Sequence, residues 1–64
     1  MRFKLSFTQD TEGNWEWTLA RSADEFQTID WVTIGQSTEK FMYPTHAMED
    51  ALIAKAEYLD NLKF

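Results

Sequence analysis

Read as a string of apolar and polar positions, the chain falls into two regimes. From Arg2 to Thr8 the period is two, with Phe3, Leu5 and Phe7 on one side and Arg2, Lys4, Ser6 and Thr8 on the other, the pattern of a half-buried strand. Trp15, Trp17 and Leu19 alternate in the same way with Glu16, Thr18 and Ala20. Between the runs lies Asp10-Thr11-Glu12-Gly13-Asn14, where Gly13 offers a positive φ and suits a type I turn closed by a bulge. Any register that keeps odd residues opposite odd ones sets Phe7 against Trp15 or Trp17 and makes the apolar faces coincide. The hairpin therefore has one aromatic face that needs a cover.

In the C-terminal third the period changes. Pro44 cannot continue a strand ladder and biases Tyr43 to an extended backbone, so it marks the passage from strand to helix. Thr45 is placed to cap the helix, and Glu49, Asp50 and Lys63 are placed to complement its dipole. No Gly or Pro follows from His46 to Phe64, and four alanines favour helix. At 100° per residue Met48, Ala51, Leu52, Leu59 and Leu62 share one side, with Ala56 and Tyr58 at its borders, which predicts a core-facing stripe. Lys55 falls within that stripe, its stem along apolar surface and its ammonium reaching water. Ile53 falls almost opposite, as a lone exposed aliphatic or as part of a contact patch with His46 and Phe64.

The middle of the chain is less decided. Residues 21–27 are polar and read as a loop, 28–35 as a third strand, and 36–40 as a turn. In the third strand either Val32 and Ile34 point inward and Trp31 outward, or the reverse. Residues 40–43 form either a fourth strand or an extended lead into the helix. The expected fold is α+β: a small antiparallel β-meander of three to four strands (about 2–8, 15–20, 28–35 and 40–43) with one C-terminal α-helix (about 45–62) packed on one face. Residues 1–64 are expected to make a single domain.

Composition sharpens this picture. At 64 residues the chain is near the lower end of what folds without a staple, and with no cysteine neither a disulfide nor a thiolate metal site can supply one. Five Phe, three Trp and two Tyr can make the core dense enough instead, and association into a homodimer is a further route to stability. Eleven acidic residues against six basic ones give a net charge of −5 with no basic cluster, which argues against direct nucleic-acid binding. Arg2 and Lys4 interrupt the N-terminal apolar positions, so neither a signal peptide nor a membrane span is predicted, and a cytoplasmic location is expected.

Candidate chemistry is sparse. A single histidine, His46, excludes paired imidazoles. Ser37, His46 and Asp50 can be written as a triad, but their spacing does not resemble a nucleophile elbow. Gly13 and Gly35 are the only glycines, so no phosphate-cradling loop exists. Asp10, Glu12 and Asn14 place oxygens at alternate positions as a calcium loop does, yet the glycine is misplaced and the closing acid absent; a hairpin turn explains the same residues. Trp15 and Trp17 could stack on sugars or bases, although their shared face with Phe3, Leu5 and Phe7 favours a core. No catalytic, cofactor or metal residue is expected, and the chain is not expected to be an enzyme.

The run Gly13-Asn14-Trp15-Glu16-Trp17-Thr18-Leu19 resembles the second strand of the YegP-like small domains, where a glycine turn leads into alternating aromatics and a later strand leads into a short helix. The resemblance covers that hairpin and the order of elements and implies no particular chemistry; residues 21–27 and the longer helix depart from it. The passage from Phe41 through Ala56 is similar in pattern to that of many small bacterial and phage proteins.

Two functions follow as expectations. One is a small non-enzymatic protein-interaction module, an accessory or regulatory protein that binds a larger protein through Trp31, Glu49, Asp50, Ile53, Glu57 and Phe64. The alternative is an acidic, phage-encoded inhibitor that occupies a nucleic-acid-binding groove of a host enzyme or defence complex. Asp24, Glu25, Glu49, Asp50, Glu57 and Asp60 would then supply the charge.

Overall fold

The computed structural model describes residues 2–22 and 31–62. Strands β1 (Arg2–Gln9), β2 (Trp15–Ser22) and β3 (Val32–Gln36) form one antiparallel sheet in the order β1-β2-β3, and helix α1 (Pro44–Asn61) packs on one face of it. This is the expected α+β meander, with three strands among the described residues.

The hairpin follows its sequence pattern closely. Phe7 stands opposite Trp17 and Leu5 opposite Leu19, so the aromatic faces of the two strands coincide. Gly13 takes φ 88°, a backbone state that costs a side-chain-bearing residue far more. Its N–H donates to the Asp10 carbonyl at 3.1 Å, while Asp10 Oδ1 accepts the N–H groups of Glu12 and Asn14, both at 2.9 Å. One aspartate side chain thus closes the turn.

The third strand resolves the facing question by breaking its premise. Leu19 pairs with Gly35 and Ala20 with Thr33, so Ile34 is an extra residue at a bulge. Ile34 packs against the core, Val32 is 51% exposed, and Trp31 is half-buried with Lys4 Nζ 5.6 Å from its ring centre. Strict alternation cannot hold across a bulge, so neither predicted facing is correct. No fourth strand runs over 40–43; a single bridge joins Phe41 to Trp15 through reciprocal hydrogen bonds of 2.6 and 2.9 Å. The part of the expected third strand over 28–30 lies outside the described residues.

Helix α1 corrects two expectations. It begins at Pro44, in the first turn where a missing N–H costs nothing, with extended Tyr43 as the cap residue and no side-chain cap; Thr45 is inside the helix. Its seated side also overlaps the predicted stripe only in part, at Ala51. Ala47 and Ala51 are fully buried and Ala54 packs beside them, whereas Met48 and Leu52 are each 49% exposed, Leu59 38% and Leu62 50%. The reason is steric. Phe3, Leu5, Phe7, Trp15, Trp17 and Leu19 already fill the space above the sheet, and only a face of small side chains lets a helix axis come close to them.

Candidate protein-binding surface

The helix contacts fix which flank of α1 lies over which side of the sheet. Asp50 Oδ2 accepts a hydrogen bond from Trp17 Nε1 at 2.8 Å. The six-membered ring of that tryptophan lies over Gly35 of β3, where a Cβ would sit 3.6 Å from it. Further along α1, Tyr58, in line with the seated Ala51 and Ala54, meets the Phe3 ring edge-on at 6.2 Å, and Lys55 Nζ lies 5.0 Å from the centre of the same ring. The Lys55 flank therefore leans toward β1.

These anchors sort the sequence-predicted residues. Glu49, Ile53 and Glu57 recur every four residues and share one solvent-facing side of α1, with Asp60 beside them; Ile53 is 58% exposed. Asp50 is drawn away from that group, its carboxylate bound to the Trp17 indole, where it ties α1 to β2. Trp31 lies beyond the opposite face of the sheet, beside Lys4, and so shares no surface with Ile53. Phe64, Asp24 and Glu25 lie outside the described residues.

Sequence reasoning missed the Met48–Leu52–Leu59 flank as a surface. Its spacing of four and seven residues was the available signal, but the same spacing served as the argument for burial. Of the eight large hydrophobic residues that are exposed among the described ones, seven fall between Met42 and Leu62. The uncovered apolar area thus belongs almost wholly to the helix and its approach.

The remaining chemical candidates have other work. Asp10 Oδ2 pairs with Lys40 Nζ at 2.9 Å, and with Oδ1 already accepting two backbone N–H groups both oxygens of the Asp10 carboxylate are engaged. That ammonium, with the turn N–H groups of Asn14 and Glu12, holds the Asp10 carboxyl below its usual pKa, and Asp10 in turn raises that of Lys40. Ser37 Oγ accepts the Trp17 N–H at 3.2 Å, while His46 lies edge-on to Tyr43 at 5.4 Å. With Asp50 bound to Trp17, the three groups of the written triad each have a different neighbour. A groove of about 160 Å³ on the hairpin end of the sheet is lined by Thr8, Glu16, Trp17, Thr18, Gln36 and Ser37. Among the described residues no group of three or more His, Asp or Glu is placed to hold a metal ion, and no helix is long and apolar enough to cross a membrane.

Set against protein-family models, curated proteins and solved structures, the chain matches none. The likeness of the Gly13–Leu19 hairpin to YegP-like domains therefore extends to no family match.

Proposed function

We propose that the chain is a small non-enzymatic protein-interaction module that binds a larger protein through the solvent side of α1. The observation that carries this reading is Ile53, exposed at 58% and flanked one turn to either side by the exposed Glu49 and Glu57. An apolar anchor inside a charged rim is the usual anatomy of a protein contact, and it fits a partner with a small apolar pocket edged by Lys or Arg. The sparse chemistry of the chain supports a binding role over a catalytic one.

The alternative is an acidic inhibitor, of the kind phages encode, in which the same carboxylates occupy a nucleic-acid-binding groove and Ile53 is incidental. It draws on the acidic rim alone and on the net charge of −5. Salt separates the two, since exposed charge pairs are screened within about 8 Å at physiological ionic strength while apolar contact is not. Tagged chain is used to capture partners from host lysate at low and high salt, with Ile53→Ser and Glu49→Lys/Glu57→Lys variants alongside. The module reading expects one stoichiometric partner that survives high salt and is lost with Ile53→Ser. Loss only with the charge reversals, and at high salt, would overturn it in favour of the inhibitor.

A further inference from the structure

The face of the sheet turned away from α1 carries the even residues of β1 and β2. At the hairpin end of that face the ladder beside β2 comes apart for a short distance. The Trp17 N–H donates to Ser37 Oγ at 3.2 Å, the Ser37 N–H donates to the Trp17 carbonyl at 2.9 Å, and Trp15 pairs with Phe41. Residues 38–40 therefore stand opposite the single residue Glu16 and swing outward as a bend. Glu16 keeps one cross-strand neighbour, Thr8 of β1, and the opening left beside it is the groove of about 160 Å³ that Thr8, Glu16, Trp17, Thr18, Gln36 and Ser37 line.

The walls of this groove are rich in acceptors. Glu16 is half-buried, and its ionised carboxylate only accepts hydrogen bonds. The hydroxyls of Thr8, Thr18 and Ser37 and the carboxamide oxygen of Gln36 can accept as well. Thr8 pairs with Glu16 across the strands and Thr18 with Gln36, and the two pairs are about 7 Å apart along the sheet. The Trp17 ring is on the other face, hydrogen-bonded to Asp50 and lying over Gly35, so the lining has no aromatic plane on which a base or a sugar could stack. Lys40 feels Glu12 and Glu16 through space, but its ammonium is held by Asp10 Oδ2 at 2.9 Å. The Glu16 carboxylate is thus drawn partly out of water while the cation of this end of the sheet is bound elsewhere, a position that favours a positively charged ligand.

We propose that this groove binds a primary ammonium group, carried by a small alkylamine or by the tip of a lysine side chain. An ammonium is a compact charge with three donors and no acceptor. Glu16 takes one donor and the charge, and the Thr8 and Thr18 hydroxyls and the Gln36 carbonyl are the acceptors for the rest. The volume equals about five waters at roughly 30 Å³ each, which suits a butylammonium group and is too small for a nucleotide. Other cations fit the lining less well. A guanidinium wants a carboxylate presented flat to its fork, and a divalent ion wants more than the one carboxylate this lining holds. The groove is on the face opposite α1, so the site goes beyond the contact proposed through Ile53, and either can fail alone.

The test is a nuclear magnetic resonance titration of the whole chain with butylammonium chloride, against sodium chloride at equal ionic strength. The expected result is saturable movement of the Thr8, Glu16, Thr18, Gln36 and Ser37 amides with a Kd of about 1 mM, the range open to a ligand of so few atoms. Glu16→Gln keeps the shape of the side chain and is expected to weaken binding about tenfold. Thr18→Val, at an exposed position that leaves the sheet folded, is expected to weaken it about threefold. Unmoved Leu19, Ala47 and Ala51 amides show that each variant keeps its core. A short capped glycine peptide carrying one lysine, with its norleucine counterpart as control, separates the two sources. Binding of the lysine peptide at least as tight as that of butylammonium gives the groove to a partner's side chain, and weaker binding gives it to a free amine. The proposal is overturned by equal shifts with sodium chloride, which would mean an adventitious ion only. It is equally overturned by the absence of saturable shifts, by tighter binding of methylguanidinium, or by affinity indifferent to Glu16→Gln and Thr18→Val.

Discussion

The two sides of α1 that carry apolar residues behave in opposite ways. One is built from Ala47, Ala51 and Ala54 and is seated on the sheet; the other is built from Met48, Leu52 and Leu59 and is half in solvent. By side-chain hydrophobicity the second is the stronger candidate for burial, since each Leu or Met offers more apolar area than an Ala. What decides is the surface underneath. A sheet already crowded with aromatic rings has no room for a second layer of large side chains, so close approach selects the small ones. Hydrophobic content shows that a helix will pack, and the bulk of its neighbour shows how it is turned.

This contrast can be broken in stages. The largest effect is expected beneath the seated face, where Leu19 is 1% exposed. Leu19→Ala should cost about 2–5 kcal/mol in urea unfolding, because the lost contacts leave a cavity between β2 and the helix. Next comes Ala51→Leu, which adds apolar area yet should destabilise by about 1–3 kcal/mol through overpacking. If that substitution instead stabilised the chain, α1 would be turned the other way. Third, Leu52→Ser should change stability by only about 0.5 kcal/mol when measured at a dilution where the chain is monomeric. A cost above about 2 kcal/mol would place Leu52 in the core and erase the contrast.

The smallest effect is expected at the Asp10–Lys40 pair, remote from both faces. Asp10 has its folded pKa lowered from 3.8, so its contribution is present above that value and fades as pH falls through the lowered one. Lys40 has its folded pKa raised from 10.5, so its contribution is present below that value and fades as pH rises through the raised one. Lys40→Ala should flatten both limbs of the urea midpoint against pH and leave the near-ultraviolet signal of the seated helix unchanged. An unaltered acid limb would mean that the turn N–H groups alone hold the Asp10 carboxylate.

Much of the fold was legible because its signals are local. The Phe3-Leu5-Phe7 and Trp15-Trp17-Leu19 alternations and Gly13 specified the hairpin and its parity, and Pro44 marked the start of the helix to within one residue. The facing of β3 was not legible, because one inserted residue at Ile34 reverses parity and nothing in the local sequence announces it. The turn of α1 about its axis was misread for a non-local reason, the crowding of the sheet. Of the residues expected to bind a partner, Glu49, Ile53 and Glu57 share one exposed side of α1, as their spacing of four requires. The loss of Asp50 to Trp17 joins residues 33 apart and depends on the tilt of one indole ring.

The central place of β2 has a consequence for the order in which the chain is made. Synthesis delivers residues N-terminus first, and β2 is complete at Ser22 while its cover is not complete until Asn61. A hairpin of this size closes in roughly 1–10 µs, far faster than the following residues are added. The nascent chain therefore samples that ribbon, marginal on its own, with Trp15, Trp17 and Leu19 uncovered until the alanine face arrives. On the ribosome that aromatic face is open to any passing apolar surface, and the three alanines that later seal it are what end the exposure.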